Sequence, residues 1–296
     1  MNGTNPENIH VPVMISEVLD ALSPQKGDFM IDGTLGGGGH ASEIAKRISP
    51  GGILLGVDRD PSVIKKVEIS VPDIKVVLVS ANYSRLPEIL EDRRLPLADG
   101  LLLDLGFSSN QLGEGRGFSF LKDEPLLMTY SDDDEPLYRV LRRLNKDDLK
   151  EIISVSGERY ARVLAEAIWK AERKNPIGTT GELVEVIRSV LPSHYERGRI
   201  HPATRTFLGL RIYVNRELEN LEKVLDSLPK ILKPGGRAAV ITFQSLEDRI
   251  VKNKFREMAK NGEISLLTKK PLSPQYPEIK ANPRARSAKL RAMVMN

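Results

Sequence analysis

The chain contains no cysteine among its 296 residues. This absence excludes disulfides, thiolate zinc sites, iron–sulfur clusters and cysteine nucleophiles together. No stretch approaches the roughly 18 to 20 consecutive apolar residues that a membrane span needs, and the polar segment Met1–His10 lacks the apolar core of a secretory signal. We therefore expect a cytoplasmic protein with no membrane partner, whose chemistry depends on oxygen and nitrogen groups or on a bound cofactor.

The formal charge is only slightly positive. The chain has 44 basic and 40 acidic residues, a net charge of +4. A basic balance favours a polyanionic partner, but this excess is small enough to be common in proteins that bind no nucleic acid. Charge alone therefore changes the functional expectation little.

Short apolar runs alternate with helical patterns in the first third of the chain. Such alternation predicts βαβ units in an open, doubly wound, mostly parallel α/β sheet. In this sheet the ligand crevice lies outside the carboxyl ends of the strands. The predicted parallel strands are Phe29–Asp32, Ile53–Asp58, Ile74–Ser80, Gly100–Asp104 and Arg237–Phe243, and Ile264–Thr268 with Lys289–Met295 would add an antiparallel pair at the sheet edge.

The alternation of strand-like and helical patterns stops in the middle of the chain. Residues 113–200 are charged and helical in pattern, so we predict an all-helical domain inserted into a core formed by residues 1–112 and 201–296. After the insertion, apolar residues recur at steps of three and four from Phe207 to Leu228. This spacing predicts one long amphipathic helix that packs on the sheet.

A glycine cluster and two carboxylates mark the expected crevice. Gly36–Gly39 follows a predicted strand and precedes a helix, a context in which glycines let a backbone approach a ligand closely. A tight turn with no ligand would also explain the cluster. Asp58 closes the second strand, where a carboxylate can accept both ribose hydroxyls of an adenosine, in NAD or S-adenosylmethionine alike. Asp104 closes the fourth strand and would lie beside the same crevice.

At these residues the chain resembles the bacterial 16S ribosomal RNA cytosine-N4 methyltransferase family across nearly its whole length. The motifs that carry the resemblance are His10-Val11-Pro12-Val13, Asp32-Gly33-Thr34, Gly38-Gly39-His40, Asp58-Arg59-Asp60-Pro61, Leu103-Asp104-Leu105-Gly106 with Ser108-Ser109, Arg116-Gly117-Phe118-Ser119-Phe120, His201-Pro202-Ala203-Thr204-Arg205-Thr206, Ser245-Leu246-Glu247-Asp248-Arg249 and Asn282-Pro283-Arg284-Ala285-Arg286-Ser287.

The resemblance implies a class I methyltransferase fold with a helical insertion. It also implies S-adenosylmethionine as methyl donor, S-adenosylhomocysteine as product, no metal, and 16S rRNA, within the small ribosomal subunit, as partner. By the family's pattern the residues that meet the cofactor would be Gly38, Gly39, His40, Asp58, Tyr83, Asp104 and Gln111. We expect His40 to act through its position and backbone, because the sequence identifies no partner that a catalytic histidine would need.

Two stretches depart from the family's pattern. Where the family usually reads P-L-D-M-R-M-D, this chain has Pro125-Leu126-Leu127-Met128-Thr129-Tyr130-Ser131, and Gln244 stands where histidine is usual. Both acids and the arginine of that stretch are lost. Substrate contacts in these places are therefore left open.

The absence of cysteine also bears on the position that would be methylated. Methyl transfer to C5 of a pyrimidine ordinarily needs a cysteine that adds at C6, whereas an exocyclic amine needs no covalent catalyst. We predict methylation at the amine, with Asp104 orienting it and Ser108 and Ser109 holding the base edge. RNA is expected to meet the insertion and the basic tail, through Arg197, Arg199, Arg205, Arg284, Arg286 and Arg291.

Two other functions compete with the methyltransferase hypothesis. An NAD-dependent oxidoreductase could use the same glycine loop and Asp58. A non-catalytic RNA-binding protein could use the same fold and the basic tail without an intact cofactor pocket. Binding of the methyl donor, of NAD or of neither distinguishes the three.

Overall fold

The computed structural model describes residues 12–105, 115–192, 195 and 200–296, with the backbone but not the side chain of Arg284. Contacts among Cα atoms divide the chain into two compact units, Met1–Gly106 with Leu218–Asn296, and Phe107–Glu217. The first unit contains the sheet, and the second is helical wherever it has regular structure among the described residues. The sequence-based boundaries, 113 and 200, lie inside the second unit.

The sheet unit has seven strands in the spatial order β3-β2-β1-β4-β5-β7-β6. β1 to β5 run parallel, and β7 pairs antiparallel with both β5 and β6. The predicted doubly wound, mostly parallel sheet with an antiparallel edge is confirmed. The strands are β1 (Phe29–Asp32), β2 (Ile53–Asp58), β3 (Lys75–Ser80), β4 (Ala98–Asp104), β5 (Leu232–Thr242), β6 (Ile264–Leu266) and β7 (Lys289–Met295).

Helices cover both faces of this sheet, which explains why the central strands read as continuous apolar runs. Leu101 and Leu103 of β4 point into one buried cluster, and Leu102 between them points into the other. The helices of this unit are α1 (Ile15–Leu22), α2 (Gly39–Ile48), α3 (Pro61–Lys66), α4 (Leu86–Asp92), α10 (Glu217–Asp226), α11 (Ser245–Lys260) and α12 (Tyr276–Ala281).

The helical unit has its own apolar core, built from Leu, Ile and Val on the inward faces of its helices. Capping boxes fix two helix starts in this unit: Asn145 with Asp148, and Thr179 with Glu182. The helices are α5 (Leu137–Arg143), α6 (Lys146–Val155), α7 (Ala161–Lys174), α8 (Thr180–Val190) and α9 (Thr204–Asn215).

The single long helix predicted from Phe207 to Leu228 is wrong. The chain breaks at Arg216, which adopts the left-handed conformation at φ 51° and separates α9 from α10. Phe207 packs in the core of the helical unit, whereas the α10 residue Leu221 packs on the sheet. A kinked pair of amphipathic helices and one long helix show the same spacing of apolar residues, so the pattern could not separate them.

Among the described residues, no helix is long and apolar enough to cross a membrane.

Candidate active site

The strand order reverses between β1 and β4, and these two strands and β2 each end in a carboxylate. Asp32 closes β1, Asp58 closes β2 and Asp104 closes β4. In an open parallel sheet a crevice forms where the order reverses, outside the carboxyl ends of the strands. Asp58 and Asp104 therefore lie at the ends of the strands that the sequence predicted.

The loop between β1 and α2 is held against this edge by hydrogen bonds. The backbone N–H of Gly33 donates to the Leu102 carbonyl at 2.9 Å, and that of Gly36 donates to Asp58 Oδ2 at 2.9 Å. Thr34 Oγ1 accepts from the N–H of Asp104 at 2.6 Å. β2 and β4 thus fix the shape of the loop from both sides.

Two glycines of this loop cannot be replaced without displacing a neighbour. A Cβ on Gly33 would lie 2.6 Å from Leu103 Cδ2. Gly38 has φ +75°, and a Cβ there would lie 2.8 Å from Val67 Cγ1. Part of the glycine pattern therefore satisfies packing, while the open backbone at Gly36, where a Cβ would meet nothing closer than 3.7 Å, is accessible to a ligand.

Asp58 braces the loop rather than capping the next helix. Its Oδ2 accepts from Gly36 and its Oδ1 accepts from the N–H of Asp60 at 2.9 Å. Asp60 itself caps α3, accepting from the N–H of Ser62 at 2.8 Å. Each carboxylate oxygen has a second lone pair, so Asp58 retains acceptor capacity for ligand hydroxyls. Burial raises the pKa of Asp58, although the N–H groups of Asp60 and Gly36 oppose the rise.

His40, near the start of α2, lies beside the carboxylates of β1 and β4. Its Nε2 is 2.9 Å from the carbonyl oxygen of Val13, and its Nδ1 is 3.7 Å from Asp104 Oδ2. Burial lowers the pKa of His40, against the attraction of Asp32, the Val13 carbonyl and Glu278. Burial raises the pKa of Asp32 to about 6, and Asp104 and Asp58 contribute to the rise.

This arrangement suits a cationic ligand. Asp104 and Asp58 both repel Asp32 at the carboxyl edge of the sheet, and burial lowers the pKa of the nearby His40. A positively charged group at this edge would relieve the mutual repulsion of Asp32, Asp58 and Asp104, whereas an anion would add to it. The residues present therefore fit the sulfonium and ammonium groups of S-adenosylmethionine, which also carries one carboxylate.

The buried charge of Asp32 yields a prediction on stability. Burial raises the pKa of Asp32 in the folded state to about 6, above the ordinary value of 3.8. The native state therefore holds the proton more tightly, and stability present below pH 4 is lost as pH rises through 6. Asp32→Asn keeps an acceptor for the N–H of Thr34, which now donates to Asp32 Oδ1 at 3.1 Å. We expect it to raise the free energy of unfolding at pH 7 by about 1 to 3 kcal/mol.

Urea denaturation between pH 4 and pH 8 measures this effect. The difference between Asp32→Asn and the parent should grow from pH 4 to pH 6 and level off above. Asp20→Asn, at an exposed position on α1, serves as the matched control and should give no such rise. A difference independent of pH would contradict the assigned burial cost.

Of the other residues predicted to meet the cofactor, some lie near the loop and some lie outside the described residues. Gly38 precedes α2 and Gly39 begins it. A Cβ on Gly39 would lie 3.2 Å from the ring atoms Cγ and Cδ of Pro12. Tyr83 begins a short 3-10 turn after β3, partly buried against the sheet core and next to Gly33. Its predicted contact with adenine stays a prediction. Ser108, Ser109 and Gln111 lie outside the described residues.

One of the six arginines predicted to contact RNA must be withdrawn. Arg291 lies in β7 with its side chain 9% exposed, and its Nε donates to Asp248 Oδ1 at 2.7 Å. A buried, paired guanidinium is not available to phosphate. Asp248 pairs with both Arg291 and Lys289, and Glu247 caps the start of α11 by accepting from the N–H groups of residues 243 and 244.

The remaining arginines are only partly described. Arg286 is exposed on the short 3-10 segment Pro283–Ser287, and Arg205 is partly buried at the start of α9. Arg197 and Arg199 lie outside the described residues, and of Arg284 only the backbone is described. Their contact with RNA stays a prediction.

The departure at residues 127–131 is accommodated by local hydrogen bonds. Arg116 donates from Nε to the Thr129 carbonyl at 2.6 Å and from a terminal nitrogen to the Thr129 hydroxyl at 3.1 Å. Its other terminal nitrogen contacts Asp132 at 2.8 Å. Ser131 accepts from the N–H of Asp133 at 3.2 Å. Thr129 and Ser131 thus serve the fold of the helical unit.

Sequence reasoning missed four participants in this site. Asp32 gives the same signal as Asp58, a carboxylate that ends a buried strand, and could have been found from it. Thr34 could be suspected only from its place in the loop. Val13 and Glu278 act on His40 through tertiary contacts that the spacing of residues in the sequence does not predict. Glu278 is held near this site because its Oε1 accepts from the N–H of Met14 at 2.6 Å.

Comparison with known sequences decides the family. The sequence model of the MraW methylase family matches residues 7–295 of this chain. The chain belongs to the MraW methylase family.

Curated relatives agree with this membership along the whole chain. Proteins named ribosomal RNA small subunit methyltransferase H are 42% identical over 306 residues in Symbiobacterium thermophilum and 40% identical over 302 residues in Syntrophus aciditrophicus. The alignments cover 96% of both chains in the first case, and 95% of this chain and 96% of the relative in the second.

Solved structures were also compared. A methyltransferase homolog from Pyrococcus horikoshii is 15% identical with a TM-score of 0.42, covering 95% of this chain and 66% of that one. An rRNA methylase from Streptococcus thermophilus is 10% identical with a TM-score of 0.38, covering 95% and 91%. The strand order described above and the membership of the chain in a methylase family confirm the class I methyltransferase fold that was predicted from the sequence.

Proposed function

We propose that this protein transfers the methyl group of S-adenosylmethionine to the exocyclic N4 of a cytidine in 16S rRNA of the small ribosomal subunit. Family membership over residues 7–295 supports a methylase, and the names of the relatives support ribosomal RNA of the small subunit as substrate. The N4 position rests on the motifs given above and on the absence of cysteine. A cytoplasmic location follows from this substrate.

The observation that carries the choice of cofactor is the convergence of Asp32, Asp58 and Asp104 on one crevice. NAD would bring a doubly charged pyrophosphate to these carboxylates, which Coulomb repulsion disfavours. S-adenosylmethionine carries no phosphate and a positive charge at sulfur. The charge of the site therefore favours the methyl donor over the dinucleotide.

When bound, S-adenosylmethionine supplies an electrophilic methyl group on a sulfonium. Asp58 would accept hydrogen bonds from the ribose hydroxyls, and the backbone of Gly36 to Gly39 would lie against the nucleoside. Tyr83 and Gln111 are assigned to the cofactor by the family's pattern. The carboxylates of Asp32 and Asp104 supply negative potential for the charged end of the ligand.

Asp104 is the group we assign to the acceptor amine. The lone pair of a cytosine amine is delocalised into the ring, so a hydrogen-bond acceptor on its N–H helps to localise the pair for attack and to take up the proton. The backbone N–H of Asp104 is fixed by Thr34 Oγ1. Ser108 and Ser109 are proposed to hold the base edge. The cytidine must be unstacked to reach such a crevice.

Two experiments test this function. Isothermal titration of the protein with S-adenosylmethionine and with NAD should give binding to the first alone; binding to NAD would favour an oxidoreductase, and binding to neither a non-catalytic RNA-binding protein. Incubation with free 16S rRNA and with assembled small subunits, followed by mass spectrometry of the digested RNA, should give N4-methylcytidine. A C5-methylated product would contradict the proposed chemistry.

The helical unit and the exposed segment that carries Arg286 are proposed to recognise the RNA. Arginine side chains suit phosphate oxygens, and each neutralised phosphate steepens the salt dependence of binding. We expect Arg286→Ala to weaken binding of small subunits and to reduce the slope of log K against log salt by about 1.

Filter binding between 50 and 200 mM salt measures that slope. Lys65→Ala, which removes an exposed positive charge from α3, is the matched control and should keep the parent slope. An Arg286→Ala slope equal to that of the parent would remove this residue from the RNA surface.

A further inference from the structure

His40 combines features that a purely structural histidine would not need. Its ring lies between the Val13 carbonyl, 2.9 Å from Nε2, and the Asp104 carboxylate, 3.7 Å from Nδ1. The side chain of His40 is 8% exposed and that of Asp104 is 16% exposed. The sequence identified no partner for this histidine, and the fold supplies two.

The Val13 carbonyl fixes which ring nitrogen carries the proton. A carbonyl oxygen only accepts hydrogen bonds, so the contact at 2.9 Å requires a proton on Nε2. In the neutral ring the other nitrogen, Nδ1, then holds a lone pair. That lone pair is on the nitrogen nearer to Asp104, so the ring can take a proton arriving on that carboxylate.

Burial and the neighbouring carboxylates act on the charge of His40 in opposite directions. Burial lowers the pKa of His40, and Asp32, the Val13 carbonyl and Glu278 oppose this shift. Asp32 at the end of β1 and Glu278 of α12 act on the ring directly, and Asp104 of β4 faces Nδ1. Asp58 at the end of β2 acts on Asp32 in turn. An imidazolium formed here would therefore be stabilised by the same carboxylates that fit a cationic ligand.

We propose that His40 accepts, through Nδ1, the proton that Asp104 removes from the acceptor amine. This inference rests on the proposed function, because it takes Asp104 as the group that faces the amine. The nitrogen forms a bond to the methyl carbon, the sulfur–carbon bond breaks with its electron pair going to sulfur, and one amine proton passes to Asp104. Transfer of that proton to Nδ1 restores the carboxylate and leaves an imidazolium held by Val13, Asp32 and Glu278.

Two substitutions separate proton acceptance from positioning. In His40→Gln the terminal amide can replace Nε2 and donate to the Val13 carbonyl, while no group occupies the Nδ1 position. In His40→Asn the shorter amide lies near the Nδ1 position, where it can hydrogen-bond to Asp104 without accepting a proton from it. Both variants should lose turnover by about 10- to 100-fold with affinity for S-adenosylmethionine within about 3-fold of the parent.

The pH profile of single-turnover methylation gives the second readout. In the parent the rate should fall as His40 becomes protonated, and both variants should lack this contribution to the acid limb. The contribution of His40 is taken as the difference between the parent and the variants, because Asp32, whose pKa burial raises to about 6, is present in all three. Recovery of the parent rate in His40→Asn would show that the histidine only positions Asp104 and would overturn the relay. Loss of cofactor affinity together with turnover would also overturn it.

The tautomer is measured on the parent protein without reference to activity. Long-range ¹H–¹⁵N correlation spectra of ¹⁵N-labelled protein at pH 8 should show a His40 ring protonated at Nε2. A ring protonated at Nδ1 would overturn the proposal. If the parent formed no N4-methylcytidine, the proposed function would fail and the relay with it, whereas a relay that fails alone leaves product formation intact.

Discussion

Replacing Asp104 with asparagine is expected to lower the rate of methyl transfer by roughly 100- to 10,000-fold while leaving RNA binding within about 3-fold of the parent. General base catalysis contributes rate enhancements of this size. Asparagine keeps the shape of the side chain, and the backbone N–H that donates to Thr34 is unchanged. The variant therefore removes the charge and the proton acceptor alone. Single-turnover assays with saturating S-adenosylmethionine measure the rate, and filter binding measures the RNA affinity.

A second carboxylate on the same strand provides the matched control. Asp99 lies towards the opposite end of β4, where its Oδ2 accepts from the N–H of Phe29 at 3.0 Å and its side chain pairs with Lys233. Asp99→Asn can keep the hydrogen bond to Phe29 and should change turnover by less than about 3-fold. Normal turnover in Asp104→Asn would contradict its role at the amine. Equal losses in both variants would indicate general damage to the sheet.

The strand ends could be predicted from the sequence because their signals are local. Asp58 and Asp104 each follow a short apolar run, and the carboxyl ends of parallel strands converge at one edge of the sheet. The position of the crevice therefore needed no knowledge of tertiary contacts.

The electrostatic character of the site could not be predicted in this way. The partners of His40 are Val13, 27 residues before it, and Asp104, on a strand that neighbours β1 only after the sheet has formed. Glu278 comes from the opposite end of the chain. Pairings of this kind depend on the crossover order, so the sequence indicated a histidine without a partner.

The wrong prediction for Arg291 has the same cause. An arginine in a basic tail favours an exposed position, but its strand, β7, pairs with both β5 and β6. A strand with neighbours on both edges buries much of its length, and Arg291 is then satisfied by Asp248 of α11. The composition shows that the tail is basic, but the pairing and packing of the sheet determine which of its arginines are exposed to solvent.

Replacing Asp58 with alanine is expected to weaken binding of S-adenosylmethionine by about 10- to 100-fold. Hydrogen bonds to a charged group contribute about 1.5 to 3 kcal/mol each, and the variant would lose those between the carboxylate and the ribose hydroxyls. It also removes the acceptor for the N–H groups of Gly36 and Asp60, so the loop that meets the ligand loses its brace. Both effects act in the same direction. Isothermal titration of the folded variant measures the change.

Asp60→Ala is the control that separates the two carboxylates of this turn. Asp60 caps α3 through Ser62, so its loss should cost about 1 kcal/mol of stability and leave the affinity for S-adenosylmethionine within about 3-fold. Both variants lower the negative charge of the same turn by one, which cancels the general electrostatic effect. A larger loss in Asp58→Ala than in Asp60→Ala thus reports direct contact with the ligand or its loop. Equal affinities in Asp58→Ala and the parent would contradict both effects and would show that the ribose is held elsewhere.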